Sequence, residues 1–176
     1  MNLSNTITPK GTQLNADDLI AGARTVRITA VTAGATPEQP VNVSFDGDNG
    51  RPWIPAKGMR RVLVALYGEQ SDGFLGKRVT LFNDPTVTFG SDTTGGIRIS
   101  HASGIKEPLT IALTVKRGKR KPFVVQPLPD YQPAFESLKS AAQTGGDAAL
   151  RAAFTALSPE LQAILRTDAT NLKAKA

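Results

Sequence analysis

Between Arg24 and Gln126 the apolar residues of this chain fall into short runs that alternate with polar ones, and only one segment keeps a helical period. Alternation puts every second side chain on the same side of an extended backbone, so each run reads as a half-buried strand. In Arg24–Val31, Val26, Ile28 and Ala30 share one face. Val41, Val43 and Phe45 repeat the pattern. The cluster Asp46-Gly-Asp-Asn-Gly50 is a turn, and Arg51–Pro55 follows as an extended piece holding two prolines. Arg78–Phe82, Thr86–Phe89, Ile97–His101, Leu109–Lys116 and Phe123–Gln126 read as further strands. The exception is Gly58–Tyr67. There Met59, Val62, Leu63 and Leu66 line one side of a helix, and Gly68 is placed to end it.

Several short strands around one helix predict a mainly β fold, a small antiparallel barrel that is closed or nearly so. An OB-like barrel is the preferred form, because its helix commonly sits between the third and fourth strands. Gly58–Tyr67 falls between Arg51–Pro55 and Arg78–Phe82, as that order asks. An SH3-like barrel or a β-sandwich would satisfy the same pattern. Pro127, Pro129 and Pro133 then interrupt the chain, and the period changes. Three helical segments follow: about Pro133–Gln143, one starting at Asp147, and one opening with Ser158-Pro159-Glu160. The expected division is a flexible lead-in over 1–14, a barrel over 15–126, a linker over 127–133 and a C-terminal helical module over 134–176.

The chain has no cysteine, which excludes disulfides and thiolate metal sites. No apolar run approaches the ~20 residues of a membrane span, and Met1–Lys10 has no signal-peptide core. A soluble cytoplasmic protein with no membrane partner is expected. The charge is uneven. Residues 51–126 hold 13 basic and 5 acidic side chains, a local excess of +8, against −2 before them and 0 after. Lys116-Arg-Gly-Lys-Arg-Lys121 puts five basic residues in six positions at an expected hairpin tip. A cluster of this kind attracts a polyanion.

Nothing in the chain spells a catalytic motif. His101 is the only histidine, no G-x-S-x-G elbow accompanies it, and no phosphate-cradling glycine loop is present. Asp46 and Asp48 approach a calcium-loop spacing, but the glycine falls one position early and no glutamate closes the loop. No enzyme, cofactor or metal is implied. Single-strand binders combine cations for the backbone with flat rings for the bases. Arg78 and Phe82 are read as outward on one strand, and Arg98 on another. Trp53 lies beside Arg51 and just before Lys57, Arg60 and Arg61, while Lys116, Arg117, Lys119, Arg120 and Lys121 crowd the hairpin. Core packing is the competing reading for Trp53 and Phe82.

The run Gly50-Arg-Pro-Trp-Ile-Pro-Ala-Lys-Gly-Met-Arg-Arg-Val-Leu-Val-Ala-Leu-Tyr-Gly68, with Gly95-Gly-Ile-Arg-Ile-Ser-His101 and Lys116-Arg-Gly-Lys-Arg-Lys-Pro-Phe123, resembles a family of small phage and prophage proteins found beside replication and recombination genes. Such proteins look like OB-fold single-stranded DNA-binding proteins. The resemblance implies sequence-tolerant binding of single-stranded DNA in support of phage replication or recombination, in the cytoplasm of a bacterial host. It leaves self-association, or docking to a recombination or replication protein, as uses for the C-terminal helices. The rival expectation is a protein–protein module, such as an inhibitor of a host defence or nuclease factor that presents a charged surface.

Overall fold

A computed structural model describes residues 11–88, 95–116 and 118–174, with only the backbone described at 115 and 116. The chain separates into two compact units, divided after Pro127. The first holds strands β1 (Arg24–Ala33) and β2 (Val41–Phe45), helix α1 (Lys57–Tyr67), and strands β3 (Arg78–Asp84), β4 (Gly96–Ala102), β5 (Leu109–Lys116) and β6 (Lys119–Pro127). The second holds helices α2 (Gln132–Thr155) and α3 (Pro159–Lys173).

The six strands form one sheet in the order β2-β1-β3-β4-β6-β5. The sheet is mixed and open, which corrects the expectation of an antiparallel, nearly closed barrel. Four of its five pairings are antiparallel, but β4 meets β6 in parallel through His101↔Gln126 and Ala102↔Pro127. Strand β1 is shared. Arg24–Arg27 pair with β3, whereas Ile28–Ala33 pair with β2 after a slip between Ile28 and Ala30. Such an irregularity bends a strand and lets its two halves serve different neighbours. The extended piece around Trp53 contributes only a single bridge, to Val43. Pro52 and Pro55 flank it and carry no N–H, so it cannot extend the ladder.

The alternation seen in sequence becomes a core. Val26, Ile28, Val43, Val79, Leu81, Ile99 and Val125 are buried from the sheet, and Met59, Val62 and Leu63 from α1. Each such side chain contributes about 1.5–3 kcal/mol by leaving water. Gly68 ends α1 with φ 86°, a conformation that a side chain would strain. Of the expected strand Thr86–Phe89, the described residues Thr86–Thr88 do not continue the sheet. Asp84 turns the chain by accepting the Thr86 N–H at 3.0 Å and its hydroxyl at 2.6 Å, while Phe89 lies outside the described residues. Order also begins earlier than the expected end of the lead-in at residue 14. Leu14 is buried, and the Arg51 guanidinium donates to the carbonyls of Gly11 at 3.0 Å and Gln13 at 2.9 Å and pairs with Asp18 at 2.7 Å.

In the second unit α2 is made of two helical stretches that meet at a kink at Gly146, whose φ 62° and ψ −153° are not helical. The helical path is interrupted at the glycine pair, where the sequence places the stop of its first helix. Ser158 caps α3 by accepting the Leu161 N–H at 3.4 Å, with Pro159 in the first turn and Glu160 beside it. Leu138, Ala142, Leu150, Ile164 and Leu165 form the unit's own small core.

Candidate nucleic-acid interface

The β5–β6 hairpin carries the densest positive charge. Its register sets Leu113 opposite Lys121, Thr114 opposite Arg120 and Lys116 opposite Lys119. Gly118 makes the turn at φ 76°. Lys119, Arg120 and Lys121 are exposed, and residues 109–126 contain no acid to neutralise them. Three cations in a row on an exposed strand end repel one another. Arg117 lies outside the described residues, as does the side chain of Lys116. Along β6, Lys119, Lys121, Phe123 and Val125 fall on one side of the ribbon, and Arg120 on the other.

A second cluster stands on the face of β3 and β4 turned away from the core. Register pairs Thr25 with Thr80, Thr80 with His101 and Phe82 with Arg98, so these side chains share that face. The two threonine hydroxyls are 2.8 Å apart and hydrogen-bonded, and His101 Nδ1 lies 3.0 Å from Ser100 Oγ. The Arg98 guanidinium lies over the Phe123 ring at 5.7 Å, and its Nε is 3.1 Å from Asp84 Oδ2. Burial pushes the Asp84 carboxyl up. The hydrogen bonds from Thr86 and the charge of Arg98 together outweigh it, so the net displacement is downward. Phe123 and Arg98 each sit three residues before the parallel pair His101↔Gln126. From Phe123 to Lys119 is roughly 13 Å along β6, at about 3.3 Å per residue. The ring and the cationic tip thus lie on one strand, and the Arg98 guanidinium reaches that ring from β4.

The other sequence candidates scatter. Trp53 is 1% exposed and packed in the core, so it offers no ring to a base; this corrects its expected place in the interface. The bridge to Val43 draws it inward from between its prolines. Arg78 is likewise not on the surface: it is 4% exposed, its N–H donates to Ser103 Oγ at 2.8 Å and its carbonyl accepts the Tyr67 hydroxyl at 3.2 Å. Phe82 and Arg98 are half-buried. Lys57 and Arg61 are exposed on α1, whereas Arg60 lines a cavity of about 400 Å³ formed with Val31, Val41, Leu63 and Phe74. Phe123 and Asp84 are the residues that sequence reasoning did not single out. Their signal lies in a strand pairing that local alternation does not encode.

The Asp46–Gly50 segment is a turn. Asp48 accepts the N–H groups of Phe45 at 3.2 Å and Gly50 at 2.9 Å, and Asp46 pairs with Arg27 at 2.6 Å. Among the described residues no group of three or more His, Asp or Glu side chains is arranged to hold a metal ion, and no helix is long and apolar enough to cross a membrane. No family model, curated protein or solved structure matches the chain.

Proposed function

We propose that the protein binds single-stranded DNA with little sequence preference, through the β5–β6 hairpin and the adjoining β3–β4 face. The observation that carries this reading is the run of exposed cations Lys119, Arg120 and Lys121, without a neutralising acid in the hairpin, on the ribbon that also holds Phe123 beneath Arg98. Phosphates would offset the mutual repulsion at the tip, and half-buried Phe82 and Phe123 would offer ring surface to unstacked bases. Lys57 and Arg61 would extend the cationic track from α1. The long β1 shared between two neighbours, and a helix between the Trp53 segment and β3, support reading the sheet as an opened relative of an OB-like barrel. A role in phage replication or recombination rests on the sequence resemblance.

The test is an anisotropy titration of the full chain with labelled single-stranded DNA, duplex DNA and single-stranded RNA at low and at moderate salt. Tighter binding to the single strand than to the duplex, weakening steeply with salt, is expected. If no oligonucleotide binds even at low salt, the reading fails and the basic tip becomes a surface for an acidic protein partner.

A further inference from the structure

The second unit carries a groove for which the DNA reading has no use. It lies between the part of α2 after the Gly146 kink and the facing side of α3, with a volume of about 290 Å³. Leu150, Phe154 and Ala169 give it an apolar lining, and Arg151, Arg166 and Lys173 stand around them. The Arg151 and Lys173 side chains are 70% and 53% exposed, and Arg166 is exposed as well. The one carboxylate in the lining is Asp147, whose Oδ2 holds Arg151 at 2.7 Å and Lys173 at 3.5 Å. Three cations against one carboxylate leave the rim at +2. Asp147 Oδ1 is enclosed and has no donor among the described residues.

We propose that this groove binds a short acidic segment of another protein, with apolar side chains seated on Leu150 and Phe154 and carboxylates facing Arg151, Arg166 and Lys173. The charge of the rim selects the anion, and the lining asks for apolar side chains between the acids. A nucleic-acid strand fits less well. The lining has a single, half-buried aromatic ring, whereas strand binding relies on successive rings for stacking. The inference is independent of what the sheet binds.

The experiment titrates the full chain into a fluorescein-labelled peptide in which Asp alternates with Leu and Phe. One control peptide carries Lys in place of Asp, and another carries Ser in place of the apolar residues. The acidic apolar peptide should bind, and both controls should bind roughly tenfold more weakly or worse. The double variant Arg166→Glu, Lys173→Glu should lose about tenfold or more in peptide affinity. Its helix content by circular dichroism and its oligonucleotide affinity should match the wild type. A hairpin variant with alanine at Lys119, Arg120 and Lys121 should bind the peptide normally, which separates this site from the DNA reading. Equal binding of the Lys peptide, no binding of the acidic one, or unchanged affinity in the folded double variant would overturn the proposal. Competition by single-stranded DNA, with weakened oligonucleotide binding in the double variant, would give the groove to nucleic acid instead.

Discussion

Replacing Lys119, Arg120 and Lys121 together with alanine tests the interface at its most exposed point. All three side chains are on the surface, and among the described residues none of them is in an ion pair. Surface changes of this kind stay within about 0.5 kcal/mol of neutral, and loss of the like-charge crowding among Lys119, Arg120 and Lys121 should tip the balance slightly toward stability. Binding should respond much more. Each phosphate contact on a single strand contributes about −0.7 to the slope of log affinity against log salt, so three contacts contribute about −2. Between 50 and 200 mM salt, a slope of that size corresponds to roughly twentyfold in affinity. The variant should therefore bind more weakly at low salt and lose much of its salt sensitivity, for every base composition alike, because phosphate contacts carry no sequence information. Anisotropy titrations with labelled oligothymidine over a salt series measure the slope directly. A folded variant whose slope and affinity equal those of the wild type would remove the hairpin from the site.

The two large aromatic candidates should now part company. Phe82→Ala should cost about 1–3 kcal/mol of oligonucleotide binding with little change in salt slope, whereas Trp53→Ala should cost about 3–5 kcal/mol of stability, read by urea denaturation, because its ring fills the core. Asp84 has a carboxyl held below its unfolded value, so its contribution is present above the ordinary carboxylate range and is lost as pH falls through the folded value. Thermal melts of the wild type should therefore drop more steeply than those of Asp84→Asn as the pH falls through and below the ordinary carboxylate range; parallel curves would show that Asp84 contributes nothing. A chain ended after Pro127 keeps the pairs His101↔Gln126 and Ala102↔Pro127 and should fold cooperatively on its own, and a broad or absent unfolding transition would show that the helices are needed.

Alternation in the sequence carried the strand faces well, because it depends only on neighbours along the chain. Val26, Ile28, Val79 and Leu81 are buried on the side it assigns them, and Phe82 and Arg98 stand on the other. Pairing between distant segments left no such trace. The parallel β4–β6 contact, which keeps the sheet from being wholly antiparallel and brings Phe123 beneath Arg98, joins runs that look like any others. Arg78 misleads for a related reason: a charged residue at the start of a strand suggests solvent, yet register sets it against Arg27 inside the first unit. Trp53 sits in a short extended piece between prolines, where local pattern leaves both faces open, and its bridge to Val43 accompanies its burial in the core. Gly145-Gly146 has the composition of a helix end. The non-helical Gly146 breaks the helical path there, and a new helical stretch begins directly beyond it.

The burial of Trp53 also hands the molecule an optical reporter of its own. It is the chain's one indole, and it lies within the sheet's core, away from the surface proposed for bases. Its emission should shift to the red when that core admits water and stay nearly silent when an oligonucleotide docks. The helical unit has no indole, and its melting is visible chiefly as lost ellipticity. Emission and ellipticity recorded on one sample thus follow two different parts of the chain, and their curves coincide only if both units unfold in a single step.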